Sequence, residues 1–383
     1  MSVTAAAGFR AAGVKAGIKK SGEPDVAVVV NDGPSYAAAG VFTSNRVQAA
    51  PVIWTRQVVA GGLLRAVVLN SGGANACTGP DGFADTHQTA ERLAGALGVS
   101  AGEIAVCSTG LIGDRLPMDK LLPGVDAAAA AAAADGGVAA ADAIRTTDTV
   151  PKTCAVAGPG YAVGGMAKGA AMLAPGLATM LAVLCTDADL PSAVLDAALN
   201  EAVGVTFNRL DSDGCMSTND TVLLLASAAS GVRPDPGEFG EMLTRACGDL
   251  ARQMQLDAEG ASKAIDIEVT GAASEDDAVT VGRAVARCNL LKCAIGGEDP
   301  NWGRVLAAVG TTAAAFDPDR VNVAINGVWI CRNGCAADDR SGVDLAPSDV
   351  TITIDLSAGP HSATIRTTDL TAQYVYENSA YST

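Results

Sequence analysis

The sequence contains very little histidine: His87 and His361 are the two copies in 383 residues. Histidine is the usual base that activates a serine or cysteine nucleophile. His87 falls in a polar stretch with helical periodicity and His361 in a Gly-Pro-His turn, so both are predicted to lie at the surface. If the chain performs nucleophilic catalysis, we therefore expect its base to be a group other than imidazole.

Positive charge and long apolar runs are scarce as well. Lysine and arginine number 26 against 42 aspartate and glutamate residues, for a net charge of -16, and form no basic cluster. Nucleic acids and anionic membranes attract concentrated positive charge, so neither is expected as a partner. No run reaches the roughly 18 apolar residues of a membrane helix, because Pro175 and Gly176 interrupt the best candidate. No apolar stretch follows the basic residues of 1–20 as in a secretory signal, so we expect a cytoplasmic protein.

The ten cysteines stand mostly alone among apolar or small residues, which favours buried thiols in a reducing compartment. Cys331 and Cys335 lack a second pair at zinc-ligand spacing, and neither histidine lies at such a spacing. No metal site is therefore expected. No Gly-x-Gly-x-x-Gly follows a strand candidate, so the sequence indicates no dinucleotide cofactor either.

The order of apolar patterns indicates a mixed fold, in one large domain or in two of ordinary size. Strands are predicted for the β-branched runs Asp25–Asn31, Leu64–Ser71, Ile104–Thr109, Met180–Asp187, Thr221–Ser227, Ala264–Thr270, Val321–Ile330 and Val350–Leu356. Helices are predicted for Thr86–Leu97, Pro191–Val203, Glu238–Gln255, Asp276–Leu291 and the alanine run Ala127–Ala134. Because helices and strands do not alternate strictly, we expect α+β layers and not a doubly wound sheet.

One segment, 166–181, has an unusual composition. Its glycines and Pro175 prevent a continuous helix just before an apolar strand is predicted to begin at Met180. Thr179 therefore lies at a junction between a loop and a strand. Taken alone, it would be an ordinary residue leading into a strand, since β-branched side chains favour strands.

The surrounding residues change this interpretation, because motifs along residues 70–383 resemble those of one family in the same order. Within 166–181 the similar residues are Lys168-Gly169, Met172, Pro175 and Ala178-Thr179-Met180-Leu181. The other similar segments are Asn70–Gly79, Ser108–Gly113, Thr146–Thr149 with Lys152, Asp257–Lys263, Asp299–Arg304 and Glu377–Thr383. Each motif alone is weak, but the ordered set is specific. The chain resembles the self-processing ornithine acetyltransferases, also called glutamate N-acetyltransferases.

The resemblance implies that the precursor cleaves itself between Ala178 and Thr179. The products would be an α chain of residues 1–178 and a β chain of residues 179–383, with Thr179 as the nucleophile. The new α-amino group of Thr179 has an ordinary pKa of about 8, so it can take the hydroxyl proton in place of an imidazole. The acetyl group of N2-acetyl-L-ornithine would then pass through Thr179 to L-glutamate, as a step of arginine biosynthesis.

The resemblance also implies the other site residues. Thr109 and Gly110 would stabilise the oxyanion with a hydroxyl and a backbone N–H, whereas without the family context Ser-Thr-Gly indicates a turn after a strand. The residues implied to contact substrate are Thr146, Lys168, Thr179, Glu259, Asn378 and Thr383. Lys168 could bind a carboxylate and Glu259 an ammonium group, although solvated surface charge is the usual fate of both residue types.

The family further implies a layered α/β sandwich with central β-sheets flanked by helices, and an α2β2 heterotetramer. No motif decides whether acetyl-CoA is a second acetyl donor. Two alternatives stay open. One is a related self-cleaving aminopeptidase or amidohydrolase with the same nucleophile, and the other is a non-catalytic binding protein in which the threonine motif is inert.

Overall fold

A computed structural model of the chain describes residues 2–173 and 180–380. The predicted cleavage residues Ala178 and Thr179 and the predicted substrate contact Thr383 lie outside the described residues. The described residues form two compact units, one of 2–208 with 215–254 and the other of 209–214 with 255–380. Both units contain sequence on the C-terminal side of the predicted cleavage point.

The first unit contains two mixed β-sheets. One sheet has the strand order β1-β2-β4-β5 and the other β3-β9-β8-β7-β6. The strands are β1 Phe9–Val14, β2 Val26–Asn31, β3 Ala37–Phe42, β4 Ala66–Gly73, β5 Ile104–Leu111, β6 Lys152–Ala157, β7 Ala162–Lys168, β8 Leu181–Thr186 and β9 Thr221–Ala226. The helices are α1 Ala50–Val59, α2 Gly79–Leu97, α3 Met118–Ala131, α4 Gly137–Ala143, α5 Ser192–Val205 and α6 Pro236–Leu256.

Alternating side chains explain how these sheets form layers. In β2, Val29 joins a core shared with Val183 of β8 and Leu223 of β9, so the two sheets pack face to face. The alternate residue Val28 joins a second core with Leu93 of α2, on the opposite face of its sheet. Strands buried on both faces consist of nearly continuous apolar residues, as residues 26–30 of β2 do. The first unit is therefore a sandwich with helices outside the sheets.

The second unit contains a six-stranded sheet of order β13-β12-β11-β14-β10-β15. Its strands are β10 Ala264–Ala272, β11 Asn322–Ile325, β12 Val328–Arg332, β13 Cys335–Ala336, β14 Asp349–Asp355 and β15 His361–Thr368. Its helices are α7 Glu275–Ala286, α8 Asn289–Gly296, α9 Trp302–Val309 and α10 Ala372–Ala380. Ile267 of β10 packs in one core with Val281 of α7, whereas Glu268 on the other face of the strand is exposed.

The predicted α+β architecture of sheets flanked by helices is confirmed, but some elements differ. The predicted strand Val321–Ile330 is a hairpin of β11 and β12, because Asn326 and Gly327 both have positive φ and form its turn. The predicted helix Asp276–Leu291 is two helices, α7 and α8. The alanine run leaves α3 after Ala131, and Ala133 pairs with Ala11 of β1.

Surface features agree only partly with the sequence predictions. Both histidines are exposed as predicted, although His361 begins β15 and does not lie in a turn. The prediction that most cysteines are buried is wrong, since five of the ten are buried. Among the described residues, no helix is long and apolar enough to cross a membrane.

Candidate functional site

The candidate site lies in the first unit, where β7 ends and β8 begins. Lys168 is the last residue of β7, and its Cα is paired with that of Leu181, the first residue of β8. Met180 directly precedes β8, so the predicted nucleophile Thr179 comes two residues before the first residue of a described strand. The sequence prediction that a strand begins at this junction is confirmed within one residue.

Lys168 and Thr109 meet although they belong to different sheets. The Lys168 ammonium donates a hydrogen bond to the Thr109 hydroxyl oxygen at 3.4 Å. The two side chains are buried, with 2% and 4% of their surface exposed. Lys168 is therefore not a solvated surface charge, because a buried lysine requires polar or charged neighbours.

Asp148 supplies the negative charge beside Lys168 and a second lysine, Lys152. One carboxylate oxygen accepts hydrogen bonds from the ammonium of Lys152 at 2.6 Å and the N–H of Gly169 at 2.7 Å, and the other accepts the N–H of Thr146 at 3.1 Å. Burial alone would raise the pKa of Asp148, but the ammonium groups of Lys168 and Lys152 and the Gly169 N–H outweigh it and lower this pKa to about 2. Asp148 is therefore ionised, and it ties the backbone of Thr146 to the same cluster.

Thr109 and Gly110 do not form the turn that Ser-Thr-Gly alone indicates, since β5 continues to Leu111. Gly110 has φ of 128° in this strand. A Cβ atom there would lie 2.5 Å from the backbone of both Gly72 and Gly73 in β4. Glycine is required because β4 approaches it too closely for any side chain.

Two asparagines support the strand that carries Thr109. The Ser108 hydroxyl donates to the side-chain oxygen of Asn70 at 2.6 Å. The side-chain amide of Asn219 donates to the carbonyls of Ser108 at 2.8 Å and Ala74 at 2.6 Å. Asn219 was not predicted from the sequence as a site residue. The sequence feature that could have identified Asn219 is a run of polar residues, 217–220, directly before the apolar strand β9.

The next residue, Asp220, reaches the start of β8 and was likewise not predicted. One of its carboxyl oxygens accepts the Met180 N–H at 2.9 Å. Its other oxygen, Oδ2, is buried without a hydrogen-bond partner among the described residues, and the nearby Thr43 hydroxyl donates to the Ser217 carbonyl. Burial raises the pKa of Asp220 well above its usual value, and the Met180 N–H and the charge of Lys168 offset this only partly.

Glu259 and Asn378 belong to the second unit and are described there. Glu259 is half-buried, and its neighbour Gly260 has φ of 61°. A Cβ atom on Gly260 would lie 2.2 Å from the backbone nitrogen of Tyr374 in α10. The loop of Glu259 thus packs against the first turn of the helix that carries the exposed Asn378.

The described residues contain no group of three or more His, Cys, Asp or Glu side chains arranged to hold a metal ion. Cys331 is buried in β12 and Cys335 is exposed in β13. The polar groups that converge in the first unit are instead a hydroxyl, two ammonium groups and two carboxyl groups. Such a set fits acyl transfer, in which a developing oxyanion and charged substrate groups must be bound.

Comparison with known proteins gives consistent matches. Residues 10–383 match the model of the ArgJ family. The arginine biosynthesis bifunctional protein ArgJ of Thermobifida fusca is 69% identical over 383 residues, and that of Streptomyces coelicolor is 66% identical over 382, each match covering 100% of both chains. Among solved structures, ornithine acetyltransferase from Mycobacterium tuberculosis in complex with ornithine is 62% identical, with a TM-score of 0.45 over 47% of this chain and 96% of that one.

Proposed function

The chain belongs to the ArgJ family, and we propose that it works through an acetyl ester of Thr179, which carries acetyl from N2-acetyl-L-ornithine to L-glutamate. It is an enzyme of arginine biosynthesis and an acetyltransferase. The observation that carries the mechanism is the contact between Lys168 and Thr109 beside the strand that follows residue 179. This contact supports the roles we propose for Thr109 as an oxyanion donor and for Lys168 as a cation that binds a carboxylate.

The first step is cleavage of the precursor. The Thr179 hydroxyl oxygen attacks the carbonyl carbon of Ala178, the bond from that carbon to the Thr179 nitrogen breaks, and the nitrogen takes the hydroxyl proton. Water then hydrolyses the resulting ester and releases chains 1–178 and 179–383. The free amine of Thr179 becomes the base, which accounts for catalysis in a chain with two exposed histidines.

Acetyl transfer then proceeds in two halves. The amine takes the Thr179 hydroxyl proton, the oxygen attacks the acetyl carbonyl of N2-acetyl-L-ornithine, and ornithine leaves with the proton. The amine of glutamate next attacks the acetyl ester and restores the Thr179 hydroxyl. Each half forms a tetrahedral oxyanion, for which the Thr109 hydroxyl and the Gly110 N–H are the donors.

Charged groups bind the two amino-acid substrates. We propose that Lys168 binds a substrate carboxylate and that Thr146 is a further contact, which is supported by the interaction of both residues with Asp148. For Glu259 we propose binding of the substrate ammonium group. Asn378 and Thr383 complete the proposed contacts. We also propose an α2β2 heterotetramer in the cytoplasm, on the family resemblance, and native mass spectrometry of the processed protein tests the assembly.

Incubation of the purified protein with N2-acetyl-L-ornithine and L-glutamate tests the reaction. We expect ornithine and N-acetylglutamate in equal amounts, which transfer produces and hydrolysis does not. Ornithine with free acetate and no N-acetylglutamate would indicate the amidohydrolase alternative. A parallel reaction with acetyl-CoA and glutamate tests the second donor that the word bifunctional in the relatives' names suggests.

A further inference from the structure

Two adjacent residues that the proposed mechanism does not use, Asn219 and Asp220, contact both parts of the candidate site. Asn219 holds the strand that carries the oxyanion donors, and Asp220 holds the residue that follows the nucleophile. Both are buried polar side chains directly before β9. Because they are neighbours in the chain, a shift of one strand relative to the other would have to break the hydrogen bonds of at least one of them.

Asn219 uses its amide group on two separate backbone segments. Its nitrogen donates to the carbonyl of Ser108 in β5 and to the carbonyl of Ala74, the residue after β4. The register of β4 and β5 shifts at this end, beside Gly72 and Gly73. The ladder is irregular beside Thr109 and Gly110, and the asparagine amide ties Ser108 to Ala74 there with two further hydrogen bonds.

Asp220 holds the backbone at the start of β8. Its carboxyl oxygen accepts the N–H of Met180, whose nitrogen is bonded covalently to the carbonyl carbon of Thr179. The backbone adds two contacts, since the Met180 carbonyl accepts the N–H of Thr221 and the Asp220 carbonyl accepts the N–H of Thr43. Met180 is thus held by both its N–H and its carbonyl.

We propose that Asn219 and Asp220 are positioning residues, which hold the segment that carries the donors Thr109 and Gly110 and the Met180 backbone in one fixed arrangement. This inference rests on the proposed function, which gives Thr109, Gly110 and Thr179 their roles. It assigns no bond-making step to either side chain. Their effect is on the distance and angle between the donors and the nucleophile, on which the rates of precursor cleavage and acetyl transfer both depend.

The protonation state of Asp220 predicts different results for two substitutions at this position. Burial raises the pKa of Asp220 and so favours its neutral form, which has the same charge as an asparagine side chain. An asparagine side chain has the same shape as Asp220 and keeps an oxygen that accepts the Met180 N–H. Asp220→Asn should therefore preserve the positioning, whereas Asp220→Ala removes it.

The experiment compares Asn219→Ala, Asp220→Ala and Asp220→Asn with the wild-type full chain. Readouts are the time course of cleavage on a denaturing gel, kcat and KM per cleaved enzyme, the pH profile of kcat, and Tm. For the two alanine variants we expect slower cleavage and a kcat lower by on the order of 10- to 100-fold, with KM nearly unchanged, since misplacement of reacting groups costs that much. Asp220→Asn should keep most of the wild-type kcat and an unshifted pH profile.

Asp187→Asn is the matched control. Asp187 follows the other end of β8 and accepts the N–H groups of Ala7 at 3.0 Å and Ala162 at 2.8 Å, away from Thr109. It should lower Tm and leave kcat unchanged. If an alanine variant fails to fold, two conservative variants decide the question, Asn219→Asp and Asp220→Asn. Asn219→Asp keeps the shape of the side chain but turns an acceptor oxygen toward the two carbonyls. Loss of kcat in the first with retention in the second supports the proposal.

Three results would overturn the inference. One is wild-type cleavage and kcat in both alanine variants. Another is a fall in Tm alone, as in the control, which would make the two residues purely structural. The third is an Asp220→Asn variant as impaired as Asp220→Ala with a shifted pH profile, because an ionised carboxylate would then be required. Failure of the proposed function looks different, since the wild-type chain itself would then produce no fragments or no N-acetylglutamate.

Discussion

Asp148 and Lys152 form an ion pair of 2.6 Å, and neither side chain has any exposed surface. Lys152 is among the largest fully buried side chains of the described residues. The pair is coupled to Lys168 of the candidate site, because the charge of Lys168 also lowers the pKa of Asp148. A buried ion pair is weak evidence for net stability, but removal of one partner leaves a charge in a medium that solvates it poorly.

Asp148→Asn should therefore destabilise the protein by about 3–5 kcal/mol, the cost of breaking a buried pair. Denaturant unfolding at neutral pH measures the loss. The matched control is Asp126→Asn, which removes a carboxylate from the exposed pair with Arg92 and should change stability little. Equal losses in the two variants would show that burial does not set the strength of the Asp148 pair.

The same pair predicts a dependence on pH. The folded protein lowers the pKa of Asp148 to about 2, below its usual value, so ionisation of this group stabilises the fold. That stabilisation is complete above the ordinary carboxyl pKa and is lost as pH falls toward about 2. The stability difference between wild type and Asp148→Asn should therefore shrink in acid. A difference that stays constant down to the pH of acid unfolding would contradict the depressed pKa.

The Thr109 hydroxyl should matter for rate more than for stability. Thr109→Val keeps the shape of the side chain but removes the donor, so kcat should fall by about 10²- to 10³-fold, as for other oxyanion donors. Thr109→Ser keeps a hydroxyl and should retain far more activity. Steady-state kinetics with both substrates separates the variants, and similar kcat values would rule out the hydroxyl as a donor.

Gly110→Ala should disturb the site through the backbone. The new Cβ would lie 2.5 Å from Gly72 and Gly73, and φ of 128° is strained for alanine. The strain should cost about 1–3 kcal/mol and displace the Gly110 N–H, so both Tm and kcat fall. Gly102→Ala is the control, because its Cβ would meet only Ser100 at 3.6 Å. Wild-type kinetics in Gly110→Ala would show that β4 can move away without consequence.

Gly260→Ala tests the proposed substrate contacts of the second unit. A Cβ there would lie 2.2 Å from the backbone of Tyr374, so the helix that carries Asn378 must shift from the loop of Glu259. We expect KM for the amino-acid substrates to rise more than kcat falls. Gly240→Ala in α6 meets nothing within 4 Å and serves as the control. An unchanged KM would separate this helix from substrate binding.

The order of apolar patterns predicted mixed α+β layers, and the strands that it located most closely, such as β2, β8 and β9, are apolar and fully buried. It missed six strands, β1, β3, β6, β7, β13 and β15. Among them, β7 consists largely of alanine and glycine. These residues are small for a reason that only the structure shows: a Cβ on Gly164 would lie 2.1 Å from the carbonyl oxygen of Ser2, and one on Gly165 would lie 2.8 Å from the sulfur of Cys154. Contacts between distant parts of the chain leave no periodic pattern.

The candidate site was also only partly predictable from the sequence. Family resemblance named Thr109 and Lys168, and the structure brings them together, while composition alone favoured a turn and a surface charge. Asn219 and Asp220 escaped notice because their partners lie up to 145 residues away in sequence. A polar pair before an apolar strand is common in loops, and burial, which makes it significant, is not visible in one sequence.

The central claim is that Thr179 becomes the acetyl-carrying end of a cleaved chain, and intact-mass measurement of the denatured protein tests it most directly. After incubation with N2-acetyl-L-ornithine alone, we predict two chains, 1–178 and 179–383, with one added acetyl group on the second that disappears when glutamate is added. Thr179→Ala should give a single chain of 383 residues without acetyl. An uncut wild-type chain that still transfers acetyl, or an acetyl group on residues 1–178, would contradict the account.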